Sequence, residues 1–106
     1  MKKYYGDQNP SGMGPITIYV DENGTITQLR NVGSHSPDGF QMGYGGSGPA
    51  DTALSILADC VGAEVANNFY QRFKQEFVAS WKESFEITDK QIQDWLNKLH
   101  AKSNKE

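Results

Sequence analysis

The residues best placed to do chemistry in this chain are small ones that bare the main chain. Gly43-Tyr44-Gly45-Gly46-Ser47-Gly48-Pro49 runs straight into a stretch with helical periodicity. Glycines at such a junction let backbone N–H groups approach an anion, and the helix end adds partial positive charge. Ser47 and Thr52 add hydroxyl donors, and Tyr44 adds a flat ring with a polar tip. No lysine or arginine lies between Arg30 and Arg72. An anion held near the middle of the chain therefore needs backbone amides, or a cation delivered by folding. Arg30 before the gap, and Arg72 and Lys74 after it, are the nearest cations. Bringing Arg30 to the loop would complete a phosphate site. The expected ligand-binding set is Arg30, His35, Ser36, Tyr44, Gly45, Gly46, Ser47, Gly48 and Thr52.

The loop lacks the Gly-Lys-Ser/Thr of a P-loop and is not read as a dinucleotide fingerprint, although Gly43, Gly45 and Gly48 fall at the bare Gly-x-Gly-x-x-Gly spacing, a weak signal alone. Pro49 removes one donor, and Asp51, read as a first-turn residue, would repel an anion. A second reading stays open, in which the glycines serve a tight strand-to-helix crossing and Asp51 satisfies the helix end. His35, Ser36 and Asp38 lie within one turn and cannot form a catalytic relay. His35 is expected to hydrogen-bond the loop backbone. The histidines His35 and His100 and the single cysteine Cys60 show no metal-ligand spacing, and Cys60 falls on an apolar helix face. The expectation is a protein that is not an enzyme, with no cofactor and no metal.

The run from His35 to Asp59, with the helix Phe69-Tyr70-Gln71-Arg72-Phe73-Lys74, resembles an uncharacterised family of small bacterial and phage proteins, a domain of unknown function. That family's pattern is His-Ser-Pro-x-Gly-Phe, then Gly-Tyr-Gly-Gly-Ser-Gly-Pro-Ala, then Tyr-Gln-x-Phe-Lys. The likeness is strongest over residues 35–77, and Met42 stands where the pattern has an aromatic residue. The resemblance implies a phage or prophage setting and no particular activity.

The elements that must position the loop follow from hydrophobic period. Residues 16–20, Ile-Thr-Ile-Tyr-Val, alternate strictly, and Asn23-Gly24 is a hairpin signal leading into residues 25–29, with Ile26 expected inside. Lys3-Tyr4-Tyr5 suggests an edge strand and residues 40–44 a third short strand. From Pro49, read as the first helical position, Ala50, Ala53, Leu54, Leu57, Cys60 and Val61 mark one helical face, closed by Gly62 in a left-handed cap. A second helix is expected over residues 63–80, its aromatic run forming core, followed by an extended piece at Phe85-Glu86-Ile87. Thr88 and Gln91 have capping-box spacing ahead of a third helix with Ile92, Trp95, Leu96 and Leu99. The fold class is α+β: a small antiparallel sheet, hairpin plus a third strand, packed on two to three C-terminal helices. Residues 1–101 form one domain and residues 102–106 a polar tail.

With 106 residues and 37% hydrophobic content the chain can bury one core. A net charge of −3 opposes general nucleic-acid binding. No apolar run spans a membrane and the first ten residues lack a signal-peptide core, so a cytoplasmic protein is expected, in the host cell if phage-encoded. The function expected from the loop is capture and sequestration of a nucleotide-like, phosphate-bearing small molecule, a host immune second messenger in the phage setting, by a homo-oligomer. The alternative is an interaction module that inhibits a host defence protein through an exposed strand edge at Tyr4-Tyr5 or residues 25–29.

Overall fold

The computed structural model describes residues 1–8, 15–34 and 39–103. Strand β1 spans Lys2–Asp7, β2 Ile18–Glu22 and β3 Thr25–Gln28; helices α1 (Ser47–Val61) and α2 (Ala63–Glu76) follow. A single 3-10 turn at Val78–Ser80 leads to β4 (Ser84–Thr88), and α3 (Asp89–Ser103) ends the described chain. The architecture is α+β, a four-stranded antiparallel sheet in the order β3-β2-β1-β4 with three helices.

The hairpin forms as its sequence dictates. Asn23 and Gly24 both take positive φ, 55° and 94°, and the Gly24 amide donates to Asp21 Oδ1 at 2.9 Å. Leu29 is buried, but Ile26 is 56% exposed. Ile26 faces Asp21 across the ladder, one position out of phase with the core residues Ile18 and Val20, so it points to the outer face. Lys3-Tyr4-Tyr5 is not an edge: β1 lies inside the sheet, with Tyr4 paired to Val20 on one side and Ile87 on the other. Its second neighbour comes from 80 residues away, which local pattern does not reveal.

The expected third strand at residues 40–44 is absent, and β1 takes that role. Phe40 and Met42 are buried, so the alternation there is real. Its hydrogen bonds go elsewhere, however. The Phe40 carbonyl accepts from the Ile16 amide at 2.9 Å, Gln41 bonds the Thr52 side chain, and the Gly43 amide donates to the Val78 carbonyl at 3.0 Å. This extended segment is held by α1, by the 3-10 turn and by the residue two before β2, and it joins no sheet ladder.

Helix α1 begins two residues before Pro49, which is therefore the third helical residue and still among those with no intrahelical acceptor for an amide. Residues 48–57 are buried without interruption, including Asp51, Thr52 and Ser55. The single apolar face expected from the sequence is thus a helix covered nearly all round. Gly62, expected in the left-handed cap, has φ 92° and ψ 160°, and it is the sole residue between α1 and α2. Helix α2 stops at Glu76, short of the expected residue 80, where the 3-10 turn takes over. Phe73 anchors an aromatic cluster, 4.9 Å from Phe77 and edge-on to Trp95 at 5.4 Å. Trp81 stacks on Phe85 at 4.0 Å with parallel rings. Both tryptophans therefore serve the core of this chain. The capping box forms reciprocally: Gln91 N donates to Thr88 Oγ1 at 3.1 Å, and Thr88 N donates to Gln91 Oε1 at 2.9 Å.

The central strand is pinned to the helices by polar contacts. Tyr4, fully buried, donates its hydroxyl to Asp59 Oδ2 at 2.7 Å, and Lys2 Nζ pairs with the same oxygen at 3.2 Å. The Lys2 amide donates to Asp89 Oδ2 at 3.0 Å, at the start of α3. Burial first, and then the bond to Asp59, push the Tyr4 phenol far above its ordinary value of 10.0. The unfolded chain releases this proton near that ordinary value while the folded chain keeps it. Stability is therefore complete below pH 10 and falls as pH rises above it, by about 1.4 kcal/mol per pH unit from this group. Urea midpoints measured from pH 9 to about 11.5 should show this fall, and Tyr4→Phe should remove its share of the slope.

Candidate functional site

The glycine-rich segment connects the stapled residues 40–43 to α1. Gly46 precedes the first helical residue in an extended conformation, φ −99° and ψ −162°, and no side chain caps the helix there. Its carbonyl accepts from the Ala50 amide at 3.1 Å, the first hydrogen bond of the helix. Among the described residues, none accepts from the amides of Tyr44, Gly45, Gly46, Ser47 or Gly48. Gly45 and Ser47 are exposed, and Gly48 is buried.

What shapes the segment is Gln41. Thr52, fully buried on α1, accepts from the Gln41 amide at 3.0 Å and gives its one proton to the Gln41 carbonyl at 2.7 Å, with the Gly48 carbonyl at 3.2 Å as the alternative acceptor. The Gln41 side chain then lies against Gly48, where a Cβ would come within 1.9 Å of Oε1. That close approach explains why a glycine stands at position 48. Tyr44, half exposed, donates its hydroxyl to the same Oε1 and lays its ring over Gly46.

The cation at this loop is Lys74. It is only 7% exposed, and its ammonium donates to the Gly45 carbonyl at 3.1 Å. An ammonium carries three donors, so this one bond does not exhaust it. Arg72 instead forms a surface pair with Glu76 at 3.3 Å. Arg30 is exposed beside a separate hollow of about 210 Å³, lined also by Leu29, Val32, Ser55, Ala58 and Asp59. Ala58 is eleven residues along α1 from Ser47, about 16 Å at 1.5 Å per residue, so Arg30 sits by the far half of the helix. Asp51 falls on the second turn and not the first, and the first turn carries no acid. Its buried carboxylate packs on Gly33, where a Cβ would lie 2.1 Å from Oδ1. Of the residues expected from the sequence, folding brings Tyr44, Gly45, Gly46, Ser47 and Gly48 together. Thr52 is turned inward as their fastening, Arg30 is elsewhere, and His35 and Ser36 lie outside the described residues.

The sequence does not single out Gln41, and it offers Lys74 only as one of the three nearest cations, with Arg30 preferred. The signal for Lys74 is a lysine next to Phe73, on the side of α2 that the apolar periodicity assigns to the interior. The other tyrosines divide: Tyr4 is core, while Tyr5 and Tyr19 stack on each other at 5.6 Å beside a hollow of about 470 Å³ lined by Gly6, Asp7, Pro15 and Thr17 among others. Among the described residues no three of His, Cys, Asp and Glu gather as metal ligands. Cys60 is half buried, and burial first, with the Asp89 charge second, pushes its thiol upward, which keeps it protonated at neutral pH.

Thr52→Val keeps the shape of the side chain but leaves both main-chain groups of Gln41 without their partner. The expected loss is about 2–3 kcal/mol in urea unfolding; a loss below about 0.5 kcal/mol would show that Thr52 does not fasten the segment.

Searches of curated proteins and of solved structures returned no match. A family profile does match, and it covers residues 4–98, from the central strand through most of α3. On that span the chain belongs to a family of unknown function, DUF6166.

Proposed function

We propose that this chain is a non-enzymatic binding protein that captures a phosphate-bearing, nucleotide-like small molecule at residues 44–48. The observation that carries this reading is the row of amides at 44–48 without an acceptor among the described residues, set at the start of α1 beside the Lys74 ammonium. Such a row of N–H groups, together with the helix dipole, favours an anion. In this reading Gly46, Ser47 and Gly48 offer main-chain donors, and Ser47 also offers its hydroxyl. Lys74 supplies charge with the two donors that Gly45 leaves over. Tyr44 offers one ring face to a base, its other face lying on Gly46. Thr52 positions and does not touch the ligand, and Arg30 is not part of the site. Sequestration of a host immune nucleotide signal by a phage-encoded protein is the role the sequence resemblance suggests for such capture.

The test is titration calorimetry with a panel of cyclic dinucleotides, ADP-ribose derivatives and inorganic phosphate. Binding of at least one nucleotide is expected, and Lys74→Met, which keeps most of the buried stem, should weaken it about tenfold to a hundredfold by removing a charge-assisted hydrogen bond. No heat with any member of the panel would overturn the reading. The alternative, an inhibitor of a host defence protein, needs an exposed strand edge; that edge is β3, and its residue pattern fits a different occupant.

A further inference from the structure

Strand β3 is an uncovered edge of the sheet, and all four of its residues are exposed. The Leu29 amide donates to the Ile18 carbonyl at 2.7 Å, which sets the phase of the ladder. Main-chain groups at positions 25, 27 and 29 therefore face β2, and those of Ile26 and Gln28 face away from the sheet. Natural edges are usually blunted by a lysine, a proline, a bulge or an inward charge. Thr25-Ile26-Thr27-Gln28 has none of these, and it displays Ile26 at 56% exposure. The opposite edge differs: β4 carries Glu86 on the outer face, paired to Lys3 at 3.1 Å.

We propose that β3 pairs antiparallel with β3 of a second copy of this chain, about a two-fold axis at Ile26, joining two sheets into one of eight strands. Thr25-Ile26-Thr27 reads the same in both directions about that point. With Ile26 opposite the partner's Ile26, the outward amide and carbonyl of each bond the other, and the two exposed side chains cover one another on the outer face. Thr25 then faces the partner's Thr27, and Thr27 the partner's Thr25, a favourable cross-strand pair on the inner side. A face that is self-complementary about a two-fold axis is what an isologous dimer requires. A ribbon this short makes a small interface, so the dimer is expected at about tens of micromolar. The inference does not depend on ligand capture at residues 44–48.

Sedimentation equilibrium of the full chain, from about 5 to 500 µM to bracket that affinity, should show a mass rising toward twice 11.8 kDa. Ile26→Lys sets like charges face to face at an exposed position, and it should stay monomeric throughout with an unchanged thermal melt. Ile26→Cys, with Cys60→Ser to remove the native thiol, should form a disulfide-linked dimer on mild oxidation, because directly bonded antiparallel partners have Cα atoms about 5.5 Å apart. A chain monomeric at every concentration overturns the proposal, and so does a dimer that survives Ile26→Lys. Cross-linking through Thr27→Cys in the same background, and not through Ile26→Cys, overturns the axis.

Discussion

The grip of the Thr52 hydroxyl on the main chain of Gln41 is the constraint on which the glycine-rich segment depends. It joins a residue of the buried helix to both polar groups of an extended segment that has no strand beside it. Because Gln41 is fixed, its side chain can lie against Gly48 and receive the Tyr44 hydroxyl, and the Tyr44 ring can rest on Gly46. The segment is thus shaped from inside, while its amides at 44–48 face no acceptor among the described residues. Rigid support beneath an unengaged main chain is the arrangement a pre-organised anion site needs, since little ordering is left to be done on binding.

The fold supplies that rigidity by burying residues 48–57 of α1 without interruption. A helical stretch buried in this way cannot shift without disturbing the elements packed on it, α2 above all. Tyr4 and Asp59 tie its far end to the central strand, and Lys74 reaches from α2 to Gly45 at its near end. The aromatic cluster of Phe73, Phe77 and Trp95 holds α2 against α3 one residue away from Lys74, so the ammonium is delivered by a well-packed element.

Much of this was legible in the sequence, and the parts that were not share one cause. The hairpin, the capping box at Thr88 and the helical periods are local signals, in which every residue that decides the outcome lies within a few positions, and these elements formed, although Ile26 points outward, α1 starts at Ser47 and α2 stops at Glu76. The central place of β1 was not legible, because it is decided by pairing with β4, some 80 residues away. Residues 40–44 carry a strand's alternation, yet their hydrogen bonds end on Thr52 and on the Val78 carbonyl, partners that no period announces. For the site, the glycines, Tyr44 and Ser47 were visible as a motif. The cation was not: Arg30 is nearer in sequence, but it follows β3 to the other half of α1, whereas Lys74 is carried to the loop by the antiparallel return of α2.

Amide-resolved NMR titration with pyrophosphate tests whether the main-chain amides at the start of α1 receive an anion, as proposed. The predicted result is a saturable set of shifts confined to the amides of residues 44–48, with the Lys74 ammonium moving alongside them. Shifts that never saturate, or that gather on other residues while these amides stay still, would contradict it.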